Sequence, residues 1–422
     1  MNQTRIETTL SCQDDYDPDS LPLDAAVARV RASLKSIEGF EQIALRSTLG
    51  RILAEDIRSR IDVPGHTNSA MDGFAIRGAD IPKDGTRVLE IIGTAWAGRP
   101  FKSECGAGQC VRIMTGAPMP AGTDSVVIVE RAQQEDGSIR IGADNEQGQN
   151  VRAAGEDIAR DDIVLKAGRR ITPADLGLLA SLGIGEVKVV RRLRLAFFST
   201  GDELYSIGES LPEGGVYDSN RYTLYGMLTR LGAELIDMGV VRDEPHALER
   251  AFEQAAGCSD VIITSGGVSM GEADFVKQTL GRLGEIGFWK IAMKPGRPLA
   301  FGKIKNAYFF GLPGNPVTVM VTFYVFVQPA LKELMGEQQS APLTLTMTCT
   351  SKLKKRPGRL EYQRAVMERD EQGRLVVRKT GPQGSGILTS MAEANCFIVL
   401  PMESRNVEPG TEVNVLPFSE LI

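Results

Sequence analysis

Three glycine-containing turns carry side chains that could bind a phosphate group. They lie at residues 199–203, 265–269 and 311–316, and each follows a short apolar run. If those runs are parallel strands, the turns converge on one edge of a sheet. Glycines there let backbone amides approach phosphate oxygens, and the helix N-termini that follow favour negative charge. A single such turn is more often only a tight turn, but three in one predicted sheet favour phosphate binding. The residues of the middle turn that would contact the anion are Ser265, Gly266, Gly267 and Ser269.

None of the three turns is a known nucleotide-binding motif. None ends in Gly-Lys-Ser/Thr and none has the G-x-G-x-x-G spacing, which disfavours a conventional NTPase or dehydrogenase. The turns also contain the acids Asp202, Glu203, Glu272 and Asp274. Carboxylates together with phosphate oxygens are the usual ligands of Mg²⁺. The alternative is that Glu272 and Asp274 only stabilise the N-terminus of the next helix.

A second group of polar turns lies earlier in the chain. Residues 63–77 are rich in small polar side chains, and Asn68, Ser69 and Asp72 could present donors and an acid at a loop tip. Residues 113–118 and 152–157 form similar turns.

Cationic candidates for a small oxyanion lie in the C-terminal half. A Pro-Gly pair next to a cation could project Lys294 and Arg359 into a pocket. The alternative for the basic run at 352–359 is a solvated surface.

Composition excludes several other chemistries. The 422 residues contain only two histidines, which leaves almost no material for a histidine triad or a histidine-rich zinc site. A net charge of −6 provides no global basic field for nucleic acid or an anionic membrane. The six cysteines are scattered, no signal peptide is recognisable, and the longest apolar run, 317–327, is shorter than a membrane span. We therefore expect a cytoplasmic protein that binds neither nucleic acid nor membrane.

The hydrophobic pattern predicts which elements position these residues. Helical spacing predicts helices over 22–36, 47–54 and 173–183, whereas short β-branched runs over 60–155 predict a β-rich module. From Arg194, strands alternate with helices, which predicts a doubly wound, mainly parallel α/β sheet. After Gly336 only strands are predicted, in a small β domain.

Seven motifs in order identify a family resemblance. They are PGHTNSAMDGFA, RIMTGAPMP, AGED, FSTGDEL, SGGVSMGEADF, KPGRP and GLPGNPV. Together they resemble the MoeA-type molybdopterin molybdenumtransferases, or molybdate insertases, a family that includes the C-terminal part of gephyrin. The resemblance covers about residues 22–418.

The resemblance implies an α/β multidomain fold with a molybdopterin-binding doubly wound α/β domain, a β-rich domain, a discontinuous helical domain and a C-terminal β domain. The expected boundaries are a flexible tail at 1–20, a helical domain at 21–59 and 156–190, a β-rich domain at 60–155, the α/β domain at 191–337 and the β domain at 338–422.

It also implies an activity and a set of site residues. Members insert molybdate into adenylylated molybdopterin with release of AMP, assisted by Mg²⁺, as homodimers whose active cleft is shared between subunits. The resemblance also points to a molybdopterin adenylyltransferase as a partner, without identifying which protein delivers the pterin. The implied catalytic residues are Asp72, Thr115, Glu203, Asp243 and Asp274, of which the last three bind the metal. The further substrate-binding residues are Arg152, Asp157, Lys290, Lys294, Pro313, Gly314, Pro316, Arg359 and Ser385.

Two alternative functions differ from this one. A molybdopterin adenylyltransferase would use a similar α/β domain, but it is normally a single compact domain. A non-enzymatic pterin carrier or scaffold would not need so many carboxylates beside phosphates.

Overall fold

The computed structural model describes residues 17–267, 279 and 281–421. Two compact units divide the chain: the first comprises the chain up to Glu41, Gly50–Ile52 and Val190 onward, and the second comprises Gln42–Leu49 and Leu53–Val189. The described α-helices are α1 (Leu23–Ser33), α2 (Pro173–Ser181), α3 (Ser219–Leu231), α4 (Pro245–Cys258), α5 (Pro316–Thr322), α6 (Gln328–Leu334) and α7 (Thr389–Glu393).

The strands in the first half of the chain are β1 (Phe40–Ala44), β2 (Ile57–Arg58), β3 (Asn68–Ser69), β4 (Gly73–Ile76), β5 (Thr86–Ala95), β6 (Gln109–Ile113), β7 (Ser125–Ile128), β8 (Gln133–Glu135), β9 (Ser138–Gly142), β10 (Val151–Arg152), β11 (Ile163–Leu165) and β12 (Glu186–Val190). Those in the second half are β13 (Arg194–Thr200), β14 (Leu204–Tyr205), β15 (Val216–Tyr217), β16 (Glu234–Val241), β17 (Val261–Ser265), β18 (Gly284–Lys290), β19 (Met293–Lys294), β20 (Pro298–Ile304), β21 (Ala307–Leu312), β22 (Leu345–Cys349), β23 (Leu360–Arg369), β24 (Leu375–Lys379), β25 (Cys396–Leu400) and β26 (Glu412–Pro417).

The first unit is built on a six-stranded sheet in the order β16-β13-β17-β21-β20-β18. The first four strands are parallel, and β20 and β18 are antiparallel additions. Side chains of β13 alternate between the two faces. Leu195 and Phe197 pack in a core with α3 and α5, whereas Ala196 and Phe198 pack against α4. Helices on both faces confirm the predicted doubly wound, mainly parallel sheet.

A closed barrel forms the C-terminal part of the same unit. Its strands run in the order β23-β24-β22-β26-β25, and β25 pairs again with β23. This confirms the predicted C-terminal β domain.

The second unit contains the β-rich module and α2. Its main sheet has the order β7-β4-β6-β5-β9-β8. Thr172 caps α2, because its side chain accepts a hydrogen bond from the Asp175 amide while Asp175 accepts one from the Thr172 amide.

The sequence missed β20, and its prediction of a helix over 47–54 is wrong. A 3₁₀ turn spans Leu45–Ser47 instead, and Gly50 has a left-handed backbone with φ of 72° that ends the helical geometry. The sequence also predicts a helix from about Phe275 to Leu283, most of which lies outside the described residues.

The apolar run at 317–327 belongs to a longer helix. Helices α5 and α6 join through a π-helical segment, Phe323–Val327, so that Pro316–Leu334 is continuous over 19 residues. In the part of the chain that the structure describes, it is the one helix long and apolar enough to span a membrane, and 72% of its most apolar window is buried in the protein. It is a core helix of this unit.

Candidate functional site

The three glycine turns meet at the carboxyl edge of the α/β sheet. Strands β13, β17 and β21 are neighbours, with Ser199 opposite Ser265 and Ser265 opposite Leu312. Asn220, in the first turn of α3, ties two of the turns together. Its Nδ2 donates to Ser265 Oγ at 2.8 Å and to the Gly314 carbonyl at 2.6 Å. The sheet topology therefore brings the predicted anion-binding turns to one place.

Gly266 permits the close approach of these turns. Its φ of 94° is unfavourable for any residue with a side chain, and a Cβ there would lie 2.2 Å from the Thr200 carbonyl oxygen. Its amide donates to the Leu312 carbonyl at 3.0 Å. Gly267, with φ of 68°, continues the left-handed turn. Two glycines in sequence let the chain leave β17 without a clash.

Carboxylates collect at the same edge of the sheet. Thr200 Oγ1 donates to Asp243, and the Asp243 amide donates to Asp202 Oδ1 at 3.4 Å. Partial burial raises the pKa of Asp243, the Thr200 hydrogen bond opposes that rise, and the charges of Asp202 and Glu203 add to it. The neighbouring carboxylates Asp202 and Glu203 repel the charge of Asp243, and a bound cation would reduce this repulsion.

Only part of the predicted set of metal ligands lies among the described residues. Within residues 17–267, 279 and 281–421, no three His, Cys, Asp or Glu side chains form a metal-binding group. Glu203 and Asp243 lie at the acidic edge described above, whereas Asp274 and the substrate-binding Ser269 lie outside the described residues. The described carboxylates supply oxygen, the donor type that Mg²⁺ prefers, but by themselves they do not form a metal-binding group.

A pocket of about 390 Å³ opens between the α/β sheet and the C-terminal barrel. Five residues predicted from the sequence line it: Lys294, Pro313, Gly314, Arg359 and Ser385. Lys290 and Pro316 are not among its lining residues. Lys290 ends β18 and Pro316 begins α5.

Strand pairing explains how distant residues reach this pocket. Lys294 in β19 lies opposite Glu361 in β23, and its Nζ forms an ion pair with Glu361 Oε1 at 3.2 Å. Ser385 is joined to the start of α5 because the Val317 amide donates to its carbonyl at 3.1 Å.

Sequence reasoning missed other lining residues as site residues. They include Asn315, Thr318, Glu361, Tyr362, Arg364 and Gln383. Arg364 and Tyr362 lie inside a strand, where their types gave no signal of a pocket.

The second unit brings Asp72 and Thr115 together. Asp72 directly precedes β4 and Thr115 follows β6, and these strands are antiparallel neighbours. The Thr115 amide and hydroxyl donate to Asp72 Oδ1 at 2.7 and 2.8 Å, and both bonds lower the pKa of this exposed carboxyl. Gly73 allows this placement, because a Cβ there would lie 2.1 Å from the Val127 carbonyl oxygen.

The other polar turns of this unit converge nearby. The Ser69 carbonyl accepts from the Gly116 amide at 2.8 Å, and the Ala70 amide donates to the Asn150 carbonyl at 2.9 Å. Arg152 in β10 lies opposite Asn68 in β3, and its side chain is exposed. Asp157 is also exposed, and its amide donates to the Val63 carbonyl at 3.0 Å.

Three family models match consecutive parts of the chain. The "MoeA N-terminal region (domain I and II)" matches residues 21–183, the "Probable molybdopterin binding domain" matches 196–333, and the "MoeA C-terminal region (domain IV)" matches 346–418.

Similar proteins cover nearly the whole chain. A protein of Haemophilus influenzae named molybdopterin molybdenumtransferase is 45% identical over 95% of this chain and 100% of its own length. A Bacillus subtilis protein of the same name is 34% identical over 95% of this chain and 94% of its own. The crystal structure of a molybdopterin biosynthesis MoeA protein from Pyrococcus horikoshii superposes with a TM-score of 0.84 at 28% identity, covering 94% of this chain and 100% of that one.

Proposed function

Because the chain belongs to the MoeA family of molybdopterin molybdenumtransferases, we propose that it inserts molybdenum into molybdopterin, using molybdate and the adenylylated pterin and releasing AMP. It is a transferase of molybdenum cofactor biosynthesis. The observation that carries the proposal is the pocket that collects Lys294, Arg359 and Ser385 beside the strand-edge turns.

The strand-edge turns bind the phosphates of the substrate. The backbone amide of Gly267 approaches a phosphate oxygen because no side chain intervenes, while the Gly266 amide holds the turn against Leu312. The pocket next to Gly314 then takes the molybdate, since its described lining combines the cations Lys294, Arg297, Arg359 and Arg364 with one carboxylate, Glu361.

Mg²⁺ would be held by Glu203, Asp243 and Asp274 and would neutralise charge on the pyrophosphate. These acids position the cation rather than act as independent bases. Water adds to phosphorus as the P–O–P bond breaks, and AMP leaves. Two thiols of the pterin then bind molybdenum, and one molybdate oxygen departs as water with the two thiol protons.

The active protein is a homodimer whose cleft is shared between subunits, and a molybdopterin adenylyltransferase delivers the pterin. It works in the cytoplasm. These statements rest on the family resemblance.

Molybdate-dependent AMP release tests the function. Purified chain, adenylylated molybdopterin, Mg²⁺ and molybdate should yield AMP and molybdenum-loaded pterin. Glu203→Ala and Asp274→Ala should abolish that release while the protein stays folded by circular dichroism. Unchanged release in both variants would contradict the assigned roles of these acids.

Two other results would favour the alternatives. Formation of adenylylated pterin from ATP and molybdopterin would indicate the adenylyltransferase. Tight pterin binding with neither AMP release nor molybdenum transfer would indicate a carrier.

A further inference from the structure

Arg364 is a buried cation on the wall of the pocket described above. Its exposed fraction is 1%, and it is the largest of the fully buried side chains among the described residues. It lies in β23, the strand that also carries Glu361. Burying a guanidinium is costly unless its charge is balanced.

Neutral oxygens accept hydrogen bonds from most of the N–H groups of this guanidinium. Nε donates to Ser390 Oγ at 3.0 Å, and Nη2 donates to the Gly384 carbonyl at 2.9 Å and reaches the Pro382 carbonyl at 3.5 Å. No described residue accepts a hydrogen bond from Nη1. The guanidinium therefore holds the loop that carries Ser385, and its Nη1 has no acceptor among the described residues.

No described carboxylate forms an ion pair with Arg364. Among the described residues, no acidic oxygen lies within ion-pair distance of its guanidinium. The nearby Glu361 is instead paired with Lys294 at 3.2 Å and accepts from Gln363 at 3.0 Å. Arg297, another lining cation, is paired with Asp17.

The charge persists at neutral pH. Burial lowers the pKa of Arg364 to about 10, and the charge of Glu361 opposes the shift. The guanidinium is therefore still protonated under physiological conditions. The pocket wall contains a positive charge that forms no ion pair with a described carboxylate.

We propose that Arg364 is a specificity-determining residue of this pocket, whose unbalanced buried charge selects a doubly charged oxyanion over a singly charged one of the same shape. The inference rests on the proposed function, in which molybdate occupies the pocket. Arg364 also positions Ser385 through the Gly384 carbonyl, but the selection comes from its charge.

Coulomb's law distinguishes the effect of the Arg364 charge on the bound anion from the role of Arg364 in positioning Ser385. The interaction energy is proportional to the product of the charges, so removing one positive charge costs a dianion twice the free energy that it costs a monoanion. Molybdate and perrhenate are tetrahedral oxyanions of similar size with charges of −2 and −1. A loss of about threefold in perrhenate affinity then corresponds to about tenfold for molybdate. A distorted loop would instead weaken both ions equally.

Isothermal titration of the full chain with each ion at mildly alkaline pH tests the inference. In Arg364→Gln the preference for molybdate over perrhenate should fall about threefold, whereas Arg364→Lys, which keeps the charge, should retain the wild-type ratio. Arg356→Gln is the matched control, because Arg356 is exposed and does not line the pocket. It should leave the ratio unchanged.

The outcomes distinguish a failure of the Arg364 inference from a failure of the proposed function. Equal losses for both ions in folded Arg364→Gln would overturn the charge role while the proposed function stands. If the glutamine variant does not fold, a folded lysine variant with a reduced ratio would overturn it as well. Absence of saturable molybdate binding to the wild-type chain would overturn the molybdate pocket itself, and this inference with it.

Discussion

At the scale of single residues, the exposed acid Asp72 and the buried cation Arg364 differ in how a substitution affects folding. The Asp72 carboxylate is exposed and accepts hydrogen bonds from Thr115, whereas Arg364 is buried beneath a pocket. An exposed group contributes little to folding free energy. Its removal therefore reports on function, whereas changes at Arg364 require a control for folding.

Asp72→Ala should abolish molybdate-dependent AMP release without lowering the midpoint of urea unfolding. The carboxylate is solvent-exposed, so no core contact is lost. Asp84→Ala, at another exposed acid of the same unit, should leave both quantities unchanged. A large drop in the Asp72→Ala midpoint would show that the carboxylate acts structurally.

At the scale of elements, the turn after β17 requires glycine at position 266, because a side chain there would clash with the backbone. Gly266→Ala places a Cβ 2.2 Å from the Thr200 oxygen and forces a left-handed φ. We expect a loss of about 2–3 kcal/mol in the free energy of unfolding, together with weaker phosphate binding.

Gly226→Ala is the matched control for that substitution. Gly226 is exposed within α3, and a Cβ there meets no atom within 4 Å. Alanine should stabilise the helix by about 0.5–1 kcal/mol. Chemical denaturation of both variants measures the contrast, and similar effects at the two positions would contradict the steric argument.

The cap of α2 predicts a pH-dependent stability. Burial would raise the pKa of Asp175, but hydrogen bonds from Arg169 and Thr172 outweigh it and lower the pKa. A lowered pKa in the folded state means that the stabilisation is fully present above the unfolded value near ~4 and is lost as pH falls through the folded value.

Asp175→Asn should therefore be less stable than wild type by about 1–2 kcal/mol at neutral pH. The difference should shrink below about pH 4, where wild type also loses the ionised carboxyl. Urea unfolding between neutral and acidic pH measures it. A difference that stays constant with pH would refute the ionised cap.

At the scale of the whole molecule, the proposed shared cleft requires residues from two subunits. Asp72 belongs to the β-rich unit and Glu203 to the α/β sheet, and the family resemblance assigns them to one cleft contributed by different protomers. The dimer should have about twice the 45.7 kDa chain mass in light scattering.

Mixing two inactive variants tests the sharing. After unfolding and refolding together, Asp72→Ala and Glu203→Ala chains should recover about a quarter of wild-type AMP release, since half of the dimers are mixed and each has one intact cleft. Each variant refolded alone should remain inactive. No recovery from mixed dimers would place both acids in the cleft of one subunit.

The sequence by itself determined the alternation of strands and helices, the β-rich module, the C-terminal strands and the order of the polar motifs. Apolar periodicity and glycine turns are local, so the doubly wound sheet and the glycine turns that follow β13, β17 and β21 could be predicted. The apolar spacing over 47–54 predicts a helix wrongly, because the left-handed backbone of Gly50 prevents one.

Only the tertiary structure decided which distant side chains share a pocket. Lys294, Glu361 and Ser385 meet because β19 pairs with β23 and because the Ser385 carbonyl bonds to the start of α5. Such pairings depend on contacts between residues far apart in sequence, which no local pattern encodes. Arg364 illustrates this limit, because its type and spacing are ordinary for a strand. Only its burial without an ion-pair partner among the described carboxylates supports the role that we propose for it.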